Sequence, residues 1–533
     1  MEPGLTEPLA PFDSSYARRT LFGALVDAGK RFGMERKILI DGDERALTYR
    51  EIIRASLALG YALTKGTRFG DSIGVMLPTG AGSVITVFAL CAYGRTPTML
   101  NFTAGLQNVR TAIRMARVTR VVTAHRFIKL GKLDTLEQEL ENEAQLIYLE
   151  DVRDKLSLSA KGAAAVGMMA PKLVARHPSP DGPAAILFTS GTEGEPKGVV
   201  LSHANILANV EQTRAHIPIF EDDVLFNPLP TFHCFGLTVG SLVPLFLGVT
   251  AVLHPTPRQP HEVVRRIREH SATIVLATDT FISQYVRAAG DDDLSSLRLA
   301  VCGAERLHDE TRQLVRRKCQ VELLEGYGVT EASPVIAANQ PGANRPGTVG
   351  HLVQGMESRI EPVEGIREGG RLLVRGPNVM LGYLHTEDPG KIHPPGDGWH
   401  DTGDIVSIDD EGYLAIRGRI KRFAKIGGET VSLTVVENCA SALWPDHCHA
   451  AIAVSEERRG ETIILATTNP EATRSDLLVW VRNHGVPELA VPRRVIAVPE
   501  IPVLGSGKTD YPGVAKMVVR HAEISPAESA ESA

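Results

Sequence analysis

The stretch from Ile186 to His203, ILFTSGTEGEPKGVVLSH, decides how this chain is read. An apolar run enters Thr189, Ser190, Gly191, Thr192, Glu193, Gly194, Glu195, Pro196, Lys197 and Gly198, and a second apolar run, Val199–Leu201, leaves it. Glycine lets backbone N–H groups approach an anion, hydroxyls donate further bonds, and Lys197 adds charge. On a loop between two strands, that set suits a polyphosphate. The segment alone leaves a plain surface hairpin rich in Gly and Thr as the lesser alternative. A P-loop does not fit, because its lysine follows a glycine and precedes Ser or Thr, whereas Lys197 lies between Pro196 and Gly198. Gly507-Lys508-Thr509 imitates the end of a P-loop. There Pro502 stands in place of the first glycine, and Pro512 interrupts the helix that should follow.

Composition narrows the class. At 533 residues the chain has room for several domains, and 43% hydrophobic with 23% charged residues is ordinary for a globular protein. A net charge of −6 gives no global attraction to nucleic acid. Cys91, Cys234, Cys302, Cys319, Cys439 and Cys448 show no short paired spacing, which implies reduced thiols and a cytoplasmic location. In His447-Cys448-His449, adjacent side chains cannot all converge on one ion, so no zinc site is expected. Phe235–Leu253 is 19 uncharged, mostly apolar residues, long enough to span a bilayer. Its Pro244, its three glycines and the turn at Gly248-Val249-Thr250 instead predict a buried helix followed by a strand. Peripheral contact with the inner membrane is the most this segment allows.

Strand-like runs alternate with helix-period segments over most of the chain. Predicted strands are Ile73–Leu77, Arg120–Thr123, Leu146–Leu149, Ala185–Thr189, Ala251–His254, Thr273–Ala277, Leu299–Cys302 and Val321–Leu324. His203–His216 reads as a helix with Ser202 as its N-cap. The pattern predicts an α/β fold with parallel-rich sheets covered by helices. From about Gly347 strand-and-turn texture takes over, including a hairpin turn at Asp410-Glu411-Gly412. The expected organisation is a flexible N-terminus (1–15), a large domain (16–420) with a β-rich subdomain (about 345–420), a small mobile α+β domain (421–521) and a disordered tail (522–533).

Further segments carry matching chemistry. Glu325 leads into Gly326-Tyr327-Gly328-Val329-Thr330-Glu331, which offers an aromatic face for a base, a hydroxyl for a phosphate and a carboxylate for Mg²⁺. Trp399–Asp404 is expected to hold Asp404 on a tight turn suited to ribose hydroxyls, with Arg419 as a guanidinium for the same nucleotide. Lys508 lies on a glycine-flanked loop.

With TSGTEGEPKG, GYGVTE, WHDTGD, GRIKR and PVLGSGKTD in order, the chain resembles the adenylate-forming superfamily of acyl-CoA synthetases, peptide-synthetase adenylation domains and luciferases. Segments 228–245, 324–335, 422–433 and 484–493 are similar to the acyl-carrier-protein synthetase half of a bacterial acyltransferase/synthetase fusion. The resemblance implies that ATP and a fatty acid form an acyl-adenylate, and that a phosphopantetheine thiol then displaces AMP. It implies that Thr189, Ser190, Gly191, Thr192, Gly194 and Lys197 hold the β- and γ-phosphates, and that Glu331 with Thr189 holds Mg²⁺. Thr330 would meet the α-phosphate. Gly303, Ala304, Glu305, Glu325, Gly326 and Tyr327 would surround the adenine, and Asp404 and Arg419 the ribose. His233 would sit beside the acyl carbonyl, Lys508 would bridge carboxylate and α-phosphate, and Lys421 would be a hinge. Glu193 and Asp510 depart from the usual pattern without removing a group that the chemistry needs.

The implied acceptor is acyl carrier protein, with coenzyme A as the alternative; both present the same thiol. Basic residues at Arg312, Arg316, Arg317, Lys318, Arg458 and Arg459 would favour the acidic carrier protein. Amino-acid activation fits poorly, because Phe232-His233-Cys234-Phe235 offers no carboxylate to a substrate ammonium. A non-catalytic acyl- or nucleotide-binding protein would have no need of Lys508 and Glu331.

Overall fold

Ser202 ends one strand and starts one helix, and that junction organises the centre of the fold. Its hydroxyl accepts from Asn205 N while Asn205 Oδ1 accepts from Ser202 N, a reciprocal cap on the helix His203–His216. The computed structural model describes residues 11–171, 179–190, 196–319, 321–366, 368–426, 429–456, 460–504 and 508–524. It divides into two compact units, Met1–Glu357 with Val374–His400, and Ser358–Leu373 with Asp401–Ala533.

The first unit contains two large sheets. The seven-stranded sheet runs, in spatial order, Gly382–Leu384, Pro196–Ser202, Pro183–Ser190, Thr96–Met99, Ser72–Val75, Arg120–Thr123 and Gln145–Tyr148. Its first three strands pair antiparallel and the remainder parallel. The nine-stranded sheet has a parallel centre of Leu323–Gly328, Leu299–Cys302, Ile274–Ala277, Val224–Asn227 and Thr250–Leu253. Ile274–Ala277 and Leu299–Cys302 at its middle are wholly apolar, as parallel strands covered on both faces must be. Helices cover them, and edge-to-face packing of Phe88 on Phe246, with ring centroids 6.0 Å apart, lies in the core they enclose. The α/β architecture expected from the alternation is therefore present.

The apolar run from Phe235 is a helix followed by a strand. A π-helix over Phe235–Leu242 passes into an α-helix at Val243–Leu247 with Pro244 in its first turn, and Gly248 turns the chain at φ +77° into the strand Thr250–Leu253. Wide π-winding leaves carbonyls short of partners. Here Gly236 O accepts from Asn227 Nδ2 at 3.0 Å and from Ser241 Oγ at 2.8 Å. A Cβ on Gly240 would lie 2.3 Å from the Asn227 side chain, so the close approach requires glycine. Among the described residues no helix is long and apolar enough to cross a membrane.

The second unit contains a four-stranded sheet (Glu357–Glu361, Gly370–Arg375, His400–Ile408, Leu414–Arg419), the hairpin Phe423–Ile426 with Glu429–Ser432, and a three-stranded sheet (His449–Glu456, Gly460–Thr467, Arg494–Ala497). Helices Leu433–Leu443, Arg474–Asn483 and Tyr511–Ile524 complete its α+β character. The predicted turn at Asp410-Glu411-Gly412 closes a hairpin in which Asp409 Oδ1 accepts from Glu411 N and Tyr413 N.

Two buried histidines in the first unit make its stability depend on pH. His203 Nδ1 accepts from Leu21 N at 3.2 Å, and burial pushes its pKa down to about 4. His254 is pushed down to about 4 by burial and then by the neighbouring Arg266. The unfolded chain takes up both protons near the ordinary value of 6.5, while the folded chain refuses them until about 4. Stability is thus full above 6.5 and falls as pH drops toward 4. Urea denaturation across this window will show a falling midpoint, and His254→Gln will make the fall shallower.

Candidate functional site

Strand pairing builds the site from the hairpin upward. In the antiparallel pair Pro183–Ser190 and Pro196–Ser202, Thr189 faces Lys197 and Ser190 faces Pro196. The hydroxyl and the amine thus start from one end of one hairpin. Gly191, Thr192 and Gly194, together with Glu193, lie outside the described residues. The short strand Gly382–Leu384 adds to the same hairpin with Tyr383 opposite Val199. A Cβ on Gly198 would press at 3.1 Å on Leu384 and Met115, so a larger residue would push the third strand away.

That third strand joins two of the expected residues. Lys197 Nζ lies 5.1 Å from the Tyr383 ring centroid, within cation–π range. The Tyr383 hydroxyl donates to Glu331 Oε1 at 2.6 Å. Glu331 is buried on the 3₁₀ turn Thr330–Ala332, and its carbonyl accepts from Met380 N at 2.8 Å. Lysine, tyrosine and glutamate therefore form one contiguous cluster. His233 and Cys234 lie nearby: burial pushes the Cys234 thiol up to about 12, and the Glu331 carboxylate adds to that shift. Phe232 packs on both His233 (4.8 Å) and Phe102 (4.9 Å).

Gly303, Ala304, Gly326, Tyr327 and Gly328 come together at one end of an apolar cavity. Gly326 and Tyr327 lie within the strand Leu323–Gly328, two residues later in the chain than the predicted Val321–Leu324. A Cβ on Gly328 would collide with Pro334 O at 2.1 Å, and Ala304 sits at φ +72°. The cavity is narrow, with a volume of about 90 Å³, and is partly open to solvent. Leu299, Val301 and Cys302 of the strand Leu299–Cys302 line it, with Gly303 and Ala304 just beyond the strand. Phe235 and Val239 of the π-helix and Thr213 and His216 of the helix His203–His216 contribute to its lining.

The carboxylates of Glu305 and Glu325 brace the backbone around this rim. Glu305 accepts from Thr280 N and Oγ1 at 3.3 and 3.1 Å, and Glu325 accepts from Leu307 N and from Arg312, both at 3.2 Å. Burial raises the pKa of both. The expected basic face is likewise partly committed, since Arg312 is held by Glu325 and Leu323 O, and Lys318 by Ala289 O. Arg316 and Arg317 remain exposed, and Arg458 and Arg459 lie outside the described residues.

In the second unit Asp404 faces Arg419 across two antiparallel strands, and Arg419 Nε donates to its Oδ1 at 2.8 Å. This corrects the expected tight turn. Asp404 lies within the strand His400–Ile408, kinked by Gly403 at φ +69°, because pairing with Leu414–Arg419 outweighs the local turn preference of Thr-Gly-Asp. Lys421 follows on the 3₁₀ turn Ile420–Arg422. The Lys508 loop is pinned by Leu504 N donating to Lys508 O (2.7 Å) and Asp510 N donating to Pro502 O (2.8 Å). Just beyond it Tyr511 lies under the Arg422 guanidinium at 3.6 Å, and Arg422 donates to Glu437 Oε1 at 2.6 Å. Tyr383 and the Arg422–Glu437–Tyr511 brace escaped sequence reasoning, because nothing in local spacing marks partners dozens of residues apart.

Among the described residues no group of three or more His, Cys, Asp or Glu could hold a metal by itself. A single carboxylate, Glu331, fits magnesium delivered by a nucleotide, since that ion keeps phosphate oxygens and water in its shell.

Residues 25–384 match the family of AMP-binding enzymes. The chain is 26% identical over 492 residues to a medium-chain fatty-acid–CoA ligase of Escherichia coli (strain K12), covering 88% of this chain and 85% of that protein. It is 27% identical over 541 residues to a long-chain-fatty-acid–CoA ligase of Bacillus subtilis (strain 168), covering 93% and 94%. It superposes on ATP-bound MatB from Rhodopseudomonas palustris with a TM-score of 0.79 at 25% identity, covering 94% of this chain and 99% of that one.

The brace in the second unit generates a prediction. Burial raises the Glu437 carboxyl while Arg422 opposes it. Arg422→Ala leaves that carboxylate buried and unpaired, and should destabilise the unit by about 3 kcal/mol. A buried acid with a raised pKa holds its proton where the unfolded chain releases it, so the loss will grow as pH rises above 4.5. Urea denaturation of the variant at about pH 5 and about pH 8 reads both effects.

Proposed function

The chain belongs to the AMP-binding enzyme family, and from that premise we propose that it joins a fatty acid to coenzyme A through an acyl-adenylate. It is an AMP-forming acid–thiol ligase that activates a carboxylic acid with ATP. The observation that carries the fatty class is the apolar cavity reaching along the sheet from the rim at Gly303 and Tyr327. Among the described residues that line it, none offers a carboxylate to a substrate ammonium, and a buried amine without one would be costly. An alkyl chain loses nothing there and gains burial.

In the first half-reaction the fatty carboxylate attacks the α-phosphorus of ATP. A carboxyl–phosphorus bond forms, and the bond to pyrophosphate breaks. Lys197, Thr189 and Ser190 would hold the departing phosphates, with Gly191, Thr192 and Gly194 of the same loop. Glu331 and Thr189 would hold Mg²⁺, which supplies charge neutralisation at the phosphates. Tyr327, Gly303 and Ala304 would enclose the adenine, Glu305 and Glu325 serving through the backbone they brace. Thr330 would meet the α-phosphate and His233 the acyl carbonyl. Asp404 and Arg419 would bind the ribose, and Lys508 would stabilise the charge that develops as the carboxylate attacks. In the second half-reaction the thiolate attacks the acyl carbonyl and AMP leaves, with Lys421 as the hinge between the two steps.

Coenzyme A is the proposed acceptor in place of the carrier protein that the sequence favoured. The relatives reported above are named as coenzyme A ligases. Two of the basic side chains that would have faced an acidic carrier protein are engaged within the first unit instead.

Fatty-acid-dependent exchange of pyrophosphate into ATP tests the reading. Lys508→Ala will lower this exchange by about 100-fold or more while ATP binding persists; undiminished exchange contradicts the role of Lys508. Ile219→Trp, which fills part of the cavity, will shift the preferred acid toward shorter chains. An unchanged chain-length profile contradicts the assignment of the cavity to the acyl chain.

A further inference from the structure

Tyr383 has no role in the motifs, yet it touches two residues that would handle the nucleotide. Its hydroxyl donates to Glu331 Oε1 at 2.6 Å, and Lys197 Nζ stands 5.1 Å from its ring centroid. The three side chains come from separate parts of the chain. Lys197 is on one strand of the hairpin, Tyr383 on the strand added to it, and Glu331 on a 3₁₀ turn.

The tyrosine is held firmly. Its backbone N donates to His393 O at 2.9 Å, and His393 N donates back to its carbonyl at 2.8 Å. Tyr383 is paired with Val199 on the other side, and the rings of His385 and His400 pack at 5.9 and 6.3 Å. Such a support fixes which way the Glu331 carboxylate faces, because one of its oxygens is tied to a hydroxyl that cannot wander. A cation over the ring face polarises the phenol and makes its O–H a better donor to that carboxylate. Lysine and glutamate therefore reinforce one another through the tyrosine, although no direct ion pair between them is needed.

Resting on the nucleotide reading above, we propose that Tyr383 is a positioning residue: it aligns the Glu331 carboxylate for the divalent cation that accompanies ATP and holds Lys197 ready for the phosphates. Glu331 and Lys197 are then in place before the nucleotide arrives.

Tyr383→Phe keeps the ring and removes the hydroxyl, whereas Tyr383→Leu removes both. The direct readout is Mn²⁺ binding to the protein–ATP complex, followed by electron paramagnetic resonance. Hydrogen-bond partners of metal ligands typically contribute a factor of 10 to 100 in affinity, so Tyr383→Phe should weaken Mn²⁺ binding by about 10-fold. The Mg²⁺ concentration needed for half-maximal pyrophosphate exchange should rise in parallel, with the rate recovering at saturating Mg²⁺. Tyr383→Leu should in addition raise KM for ATP, because Lys197 loses the ring. In a double-mutant cycle, Tyr383→Phe should add little to Glu331→Gln. Wild-type Mn²⁺ affinity in Tyr383→Phe would overturn the proposal, as would a loss of rate that Mg²⁺ does not relieve and that accompanies a lowered Tm. If the wild-type protein shows no exchange with any fatty acid, the functional reading fails, and Mn²⁺ binding to the two proteins with ATP still decides the role of Tyr383.

Discussion

The addition of Gly382–Leu384 to the antiparallel hairpin Pro183–Ser190/Pro196–Ser202 is the constraint on which the first unit's chemistry depends. Antiparallel pairing sets register residue by residue, so a slip of one position would turn Lys197 and Tyr383 to opposite faces. With the register as it stands, lysine, phenol and the Glu331 carboxylate meet, and the backbone of Met380 anchors the turn that carries Glu331. Glycine at 198 is the condition for that third strand to lie close. The hairpin's Lys197 thus meets Tyr383, and through it Glu331, only because a strand nearly two hundred residues later pairs beside it.

A second constraint shapes the apolar cavity. The π-helix at Phe235–Leu242 survives because Asn227 and Ser241 satisfy the Gly236 carbonyl and because Gly240 lets Asn227 approach. Unusual winding places Phe235 and Val239 against the strands Ile274–Ala277 and Leu299–Cys302, and the space left between them is the apolar cavity. The same run that has the length of a membrane span contributes Phe235 and Val239 to the wall of an apolar cavity.

How much could be read from the residues depended on how local each determinant was. The helix His203–His216 with its Ser202 cap and the strands Arg120–Thr123 and Leu299–Cys302 stand where capping chemistry and short apolar runs put them. The strand Thr96–Met99 was invisible, since Pro97 argues locally against a strand between two others. Asp404 looked like a turn residue because Thr-Gly-Asp is a turn sequence, and only its distant partner Arg419 makes it a strand. Motifs marked Lys197 and Glu331, but Tyr383 joins them through long-range pairing that no spacing announces. The cavity was equally hidden, as helix and strand residues from Thr213 to Val353 build it together.

The second unit holds Asp404, Arg419, Lys421 and Lys508 on a framework braced by Arg422, Glu437 and Tyr511. Backbone bonds from Leu504 N to Lys508 O and from Asp510 N to Pro502 O anchor the backbone on which Lys508 stands. The account as a whole rests on a fatty acyl-adenylate that passes to coenzyme A. The most direct measurement forms that adenylate on the enzyme from ATP and a radiolabelled fatty acid, then chases it with coenzyme A or with holo acyl carrier protein under rapid quench. The account predicts an acyl-adenylate that coenzyme A converts to thioester with release of AMP, faster than the carrier protein does. Failure to form the adenylate with any fatty acid, or transfer to the carrier protein alone, would contradict it.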